Sequence, residues 1–290
     1  MTSSWKSDGD RPIFYLFIYD ESATHPMRDT MIIVITMTLL LTLGIVAEAV
    51  NHHQAHLAMG QGNNNNTATT KEWPNIMPNV ETFVVSNVTS PRIDDSAFIH
   101  PFAVVIGDCF IGKEVLVAPT AVCRGDEGVP IHVGDYSNIQ DGVILHAIDA
   151  VRNGTNNDNK RFSQDGERLL GNDTRFDQGY TIFISGNVSL AHDSIVHGPA
   201  WIGNNTIVGV KSAILDSKIG NNVVIRLGSI VTGVEIPDNT LIPVGSIITN
   251  QTQVANLPSA IGSPSQNLNQ GDLLNSQALA KAYNDADVEK

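Results

Sequence analysis

Two histidines five residues apart, His192 and His197, lie in the stretch GNVSLAHDSIVHGPAWIG from Gly186 to Gly203, and a third, His146, closes the run VGDYSNIQDGVILH. Neutral imidazole is the commonest side-chain metal ligand, because its free nitrogen lone pair is available at physiological pH. Three imidazoles that leave a fourth position open make a catalytic metal site, with Zn2+ as the expected occupant and Fe2+ or Co2+ as alternatives. The plainer reading is three polar groups on a protein surface. What separates the two is whether the fold brings the three rings together.

The elements that would position them carry a period of six. Aliphatic or small apolar residues recur at Val105, Ile111, Val117 and Cys123, then at Val133, Ile139 and Leu145. The pattern resumes through Ile184, Leu190, Val196, Ile202, Val208 and Ile214, then Ile219, Ile225 and Val231, then Ile236, Ile242 and Ile248. Glycine stands beside many of them, as in Ile111-Gly112, Val133-Gly134 and Ile202-Gly203. A six-residue period with flanking glycine predicts an all-β fold, a parallel β-helix of hexapeptide repeats in which short strands form a three-sided coil around the aliphatic anchors. Helices of this repeat class are left-handed, against the usual right-handed crossover. The segment Gly125–Pro130 interrupts the register, and the chain leaves it again from Leu145 to Ile184.

If Leu145 to Ile184 is one step of six with 33 residues inserted, Leu145 and Val196 are three steps apart, one full turn of the coil. His146 and His197, each one residue past its anchor, should then stack on neighbouring coils of one face. His192 follows Leu190 by two residues and points from another edge. Such a set cannot easily close around one ion within a single prism. It could close across two prisms, and a ring of three would repeat the site three times.

At this point the sequence resembles the gamma-class carbonic anhydrases. The resemblance is carried by Arg124-Gly125-Asp126-Glu127-Gly128, by VGDYSNIQDGVILHA from Val133 to Ala147, and by NVSLAHDSIVHGPAWIG from Asn187 to Gly203, and it spans about Ile93 to Pro258. It implies reversible hydration of CO2 to bicarbonate by a metal-bound hydroxide at the subunit interface of a homotrimer. His146 and His197 would be ligands from one subunit and His192 the ligand from the next. Glu127 and Gln140 would flank the reacting water, with Glu127 placed to accept a proton and Asn138 orienting the Gln140 side. Arg124, Asp126 and Asp141 would be the ion-pair set between subunits. The family places a Glu three residues after the first His ligand as a proton shuttle; here that position is Asp149, one methylene shorter, and the loop beyond it is longer and Asn-rich, with Asp158, Asp165, Glu167, Asp173 and Asp177 in it.

Two other readings compete. A hexapeptide-repeat acyltransferase explains the period but gives no reason for Glu127, Gln140 and three convergent histidines. A catalytically silent gamma-class scaffold subunit would be expected to lose a ligand or Glu127, and this chain keeps both.

Composition sets the outer limits. The formal charge of −13 leaves no clustered Lys and Arg for a phosphate backbone, so nucleic acid is set aside as a partner. The run Met31 to Ala47 is uncharged and apolar, preceded by Arg28 and followed by a small-x-small pattern, as in an export signal or, if uncleaved, a membrane anchor. Met27 makes a more natural start than Met1. The expected organisation is 1–49 as N-terminal extension and export signal or anchor, 50–78 as a flexible Asn-rich linker, 79–258 as the β-helix, and 259–290 as a linker and a helix packed on the prism. That helix is read over about Gly271 to Lys290 from Leu273, Leu274, Ala278, Leu279 and Ala282, with Asp272 near its start. A family Asn near the active site comes from this helix, and Asn284 is the nearest match in this chain. His52, His53 and His56 in the linker are read as incidental. Seven positions fit the N-x-S/T acceptor pattern: Asn65, Asn87, Asn153, Asn172, Asn187, Asn204 and Asn250. Cys109 and Cys123 are the two cysteines, and nothing in the sequence decides between a disulfide and a buried pair of thiols.

Overall fold

The computed structural model describes residues 74–82, 85–147, 151–152, 155–156 and 160–286. The expected N-terminal extension, nearly all of the linker, and Asp149 and Asp158 fall outside the described residues. What is described is a left-handed parallel β-helix closed by a C-terminal helix. Strands of two to eight residues wind round three faces, and each pairs in parallel with the strand one coil away.

Every residue of the six-fold series is buried in one continuous core, from Val105 to Ile248. Side chains alternate across a strand, so each anchor points to the axis and its neighbours point out. The first face runs through Val104–Gly107, Val122–Gly125, Ile144–His146, the start of Ile195–Ile202, the start of Ala213–Ile219, Ile230–Thr232 and Ile247–Ile248. The second runs through Arg92–Ile93, Cys109–Ile111, Ile131–Val133, Ile182–Ile184 and the later halves of those two long strands. The third is a separate seven-stranded sheet, from Phe98–Ile99 to Leu241–Ile242.

The corners need a left-handed backbone, which asparagine tolerates better than most residues. Asn187, Asn205, Asn222 and Asn239 adopt φ of 57°, 57°, 55° and 59° in one column. Asn205 donates to Asn222 at 2.8 Å and Asn222 to Asn239 at 3.2 Å, so these asparagines serve corner geometry. Cys109 and Cys123, both fully buried, form a disulfide across the core with Cα atoms 6.6 Å apart.

The inserted segment is more ordered than its missing period suggested. It contains an antiparallel pair Lys160–Phe162 with Arg168–Leu170, and a short 3-10 turn Phe176–Gln178. Phe162, Leu169 and Phe176 are buried, too few and too irregularly spaced to register as a periodic pattern. The strand-bearing part lies on the second face, where outward residues form a ladder. Phe110 stacks on His132 at 4.8 Å, His132 on Phe183 at 4.4 Å, and Phe183 is parallel to Trp201 at 6.5 Å. Arg92 caps one end over Phe110 and Lys218 the other over Trp201. Phe162 joins this cluster, and Trp201 Nε1 donates to the Gln164 carbonyl at 3.2 Å.

The C-terminal helix, Leu268–Asp285, begins three residues earlier than the sequence suggested and lies on the third face. Ala280 packs with Phe98 and Leu116, Tyr283 stacks on Phe98 at 4.7 Å, and Asn269 donates to the Asn187 carbonyl at 2.9 Å.

Candidate metal centre

Parallel pairing of Ile144–His146 with Ile195–Ile202 puts Leu145 opposite Val196 and His146 opposite His197. The two anchors point inward, so the two imidazoles share the outer surface of the first face. Their rings are edge-on, with centroids 4.9 Å apart, and His146 Nδ1 lies 3.1 Å from His197 Nε2. Two nitrogens bound to one tetrahedral ion at ~2.0–2.1 Å lie about 3.3 Å apart. The pair therefore has the spacing that a shared cation requires. On the far side, His146 Nε2 lies 3.0 Å from Glu127 Oε1. A carboxylate on the second ring nitrogen fixes the tautomer that leaves the first nitrogen as a ligand.

His192 sits at the corner between the third and first faces. Because Leu190 pairs with Ile139, Asp141 stands one coil above His192, and its Oδ2 lies 3.0 Å from His192 Nδ1. The side chain is 55% exposed, and its Nε2 has no partner among the described residues. The same carboxylate-imidazole pattern thus occurs twice, at Glu127–His146 and Asp141–His192. Among the described residues, no three His, Cys, Asp or Glu side chains come together to hold a metal ion. The first face offers two facing nitrogens, and the third imidazole points outward from a corner.

Gln140 and Asn138 lie in one hydrogen-bond chain beside this corner. Gln140 Nε2 donates to Asn138 Oδ1 at 3.1 Å, and Asn138 Nδ2 donates to Ser189 Oγ at 2.9 Å. Gln140 Nε2 also donates to Asp272 Oδ2 at 2.6 Å. The C-terminal helix therefore reaches the site through Asp272, while Asn284 donates to the Ser96 carbonyl. Asp272 is 132 positions from Gln140, and no local pattern links them. Arg124 forks onto Asp126 of the same chain at 3.2 and 3.1 Å, and Asp126 Oδ1 is buried with no hydrogen bond. Of the three residues expected to bridge subunits, two pair with each other and Asp141 is taken by His192. The loop carboxylates Glu167 and Asp173 pair with Arg175, which holds Asp173 below the usual carboxylate range.

The fold defines a left-handed hexapeptide β-helix, and its curated relatives include an enzyme. A carbonic anhydrase of Methanosarcina thermophila is 41% identical over 152 residues, 52% of this chain and 57% of that protein. The carboxysome assembly protein CcmM of a Nostoc species is 34% identical over 46% of this chain and 20% of its own length. The carnitine operon protein CaiE of Escherichia coli K12 is 32% identical over 44% of this chain and 50% of its own. The matches thus span about half or less of these curated relatives. A solved Bacillus cereus structure of acetyltransferase type aligns over 72% of this chain and 97% of its own at 22% identity, with a TM-score of 0.52, which speaks to the fold alone. No family model matches the chain. The resemblance to gamma-class carbonic anhydrases that the motifs carry is borne out by these similarities.

Proposed function

We propose that this protein is an exported gamma-class carbonic anhydrase whose active site forms only between subunits of a trimer. The observation that carries the reading is the facing pair His146 and His197 at 3.1 Å, set on a face whose outward isoleucines are exposed in the described chain. Beside the pair runs an outward row, Ile144, Ile195, Ala213, Ile230 and Ile247, in which the four isoleucines are between 39% and 59% exposed. Below His192 the corner continues as Val210, Leu227 and Val244, also exposed. An apolar corner and an apolar face on different sides of one prism suit head-to-tail contacts that close into a ring. In that ring the corner of one copy carries His192 to the His pair of the next.

The donor set fits a borderline divalent cation: three imidazoles, two of them backed by carboxylates, and no thiolate. A cation there supplies the Lewis acidity that lets water lose a proton near neutral pH. The chain's own groups supply the rest. Asp272 and Asn138 hold the Gln140 amide in one orientation, so that it can position an incoming oxygen. Glu127, bound to His146 on the ring nitrogen away from the pair, would take a proton from the site and hand it to Asp149 or another carboxylate of the inserted loop. The buried Cys109–Cys123 disulfide and the apolar run near the N-terminus support export. Bicarbonate crosses membranes poorly, so interconversion outside the cell would feed inward diffusion of CO2.

The test is CO2 hydration and metal content on protein purified anaerobically from near Asn51. Rapid hydration with about one metal ion per chain is expected. Metal-free, inactive trimers would favour the scaffold reading that similarity to CcmM raises.

A further inference from the structure

Of the seven acceptor-pattern asparagines, the structure describes five, and it sorts these into four whose pattern the fold already uses and one it leaves open. Asn65 and Asn153 lie outside the described residues. Asn187 is a left-handed corner residue and Asn204 stands directly before one, Asn205, and the hydroxyl residues that complete their patterns are buried. Ser189 is fully buried and accepts from Asn138, while Thr206 is fully buried, donates to the Gly220 carbonyl and accepts from the Val223 N–H. Asn204 itself donates to Asn221 at 3.4 Å. Asn250 caps the short helix Gln251–Val254, accepting from the Gln253 N–H at 3.1 Å and from the Thr252 hydroxyl at 2.5 Å. At Asn87 the pattern's hydroxyl, Thr89 Oγ1, is bound to the buried Asn79 at 2.9 Å.

Asn172 differs from all of these. It is exposed at the third position of a turn closed by the Asp173 N–H to Leu170 carbonyl bond at 2.8 Å. Neither its carboxamide nor the Thr174 hydroxyl has a partner among the described residues, and both side chains are exposed. The turn itself is held firmly: Asp173 and Glu167 clamp Arg175, and Phe176 is buried beneath the Arg161 guanidinium at 4.4 Å. A firm turn thus presents a free carboxamide and a free hydroxyl two residues apart.

We propose that Asn172 is an N-glycan acceptor, modified by an oligosaccharide from a lipid-linked sugar phosphate or pyrophosphate donor. Asn172 Nδ2 forms the bond to the anomeric carbon, the bond from that carbon to the phosphate oxygen breaks, the phosphate leaves with the electron pair, and the amide nitrogen gives up one proton. Corner geometry explains Asn187, and the contact to Asn221 explains Asn204, without any glycan, but neither explains Asn172. The proposal rests on the export reading, since the donor and its transferase act on chains that have crossed a membrane.

The experiment is mass spectrometry of the full chain recovered from its source cells, with exported and cytoplasmic fractions kept apart. Cleavage after Arg168 and Arg175 isolates the peptide LLGNDTR with a single acceptor. A glycan mass on this peptide in the exported fraction, lost in both N172Q and T174A, is the expected result. Exported protein whose peptide is unmodified overturns the site while leaving export intact. Protein found only in the cytoplasm and unmodified overturns both. Glycan on Asn187 or Asn204 would overturn the sorting by hydrogen bonding.

Discussion

The first and second faces of the prism are made by the same alternation, with an anchor inward and its neighbours outward, yet their outer surfaces have opposite fates. The second face carries an aromatic ladder from Phe110 to Trp201, and the chain covers much of it with its own inserted strands through Phe162, Gln164 and Arg168. The first face carries the His pair and a row of exposed isoleucines, and nothing in the described chain lies over it. The third face, under the C-terminal helix, behaves like the second. An apolar face left exposed among the described residues, beside two facing imidazoles, is the surface on which the proposed contact with another copy rests.

The largest expected effect is at the three histidines. His146→Ala, His197→Ala and His192→Ala should each lose bound metal and bring hydration to the uncatalysed background, measured by metal analysis and stopped-flow. Mixing separates the two kinds of ligand. H192A and H197A chains refolded together at equal amounts should recover about a quarter of the sites, because a bare face of one and an intact corner of the other meet at that frequency in a ring. No recovery on mixing would show that the three ligands do not come from two chains.

Next in size is the apolar row. Ile195→Glu or Ile230→Glu buries an unpaired carboxylate at each proposed contact, costing roughly 3 kcal/mol or more, and should give inactive monomers by light scattering with unchanged circular dichroism. Leu170→Glu, at an exposed position on the covering strands, should leave assembly and activity as they were. The covered face should respond differently. Phe162→Ala removes a fully buried ring at a cost of about 3 kcal/mol, so cleavage at Arg161 and Arg168 by trypsin should accelerate while the trimer persists. Asp272→Ala frees one side of Gln140 and should lower kcat about 10-fold with metal content unchanged, since losing a group that supports the first ring of contacts has this scale.

The smallest effect is in pH. Burial between Phe110 and Phe183 pushes His132 below its usual value, against the Ile184 carbonyl at 3.2 Å and Asp135, which act the other way, while Arg92 acts with burial. Unfolded, this histidine protonates near ~6.5. Its neutral burial therefore stabilises the fold above that pH, and the contribution is lost as pH falls through the folded value. Between pH 7 and 5 the thermal midpoint should fall more for the native chain than for His132→Phe.

Much of this was legible in the sequence because the β-helix is a local repeat. The six-residue period named each anchor from Val105 to Ile248, and treating Leu145 to Ile184 as one interrupted step placed His146 beside His197, as the strand register has it. The same period located His192 on another edge. Inward or outward direction along a short strand depends only on neighbours in the chain, so sequence alone determines it.

What lacked a period needed the tertiary structure. The covering strands follow no repeat and show no periodic signal, because one buried ring, Phe162, ties them to a distant ladder. Asp272 reaches Gln140 only because a helix of fixed length crosses the third face, and the Cys109–Cys123 disulfide exists only because a coil of this circumference brings the two inward-facing residues together. Spacing along the chain decided which side chains face outward. Only packing between elements far apart in sequence decided which outward faces the described chain covers and which stay exposed.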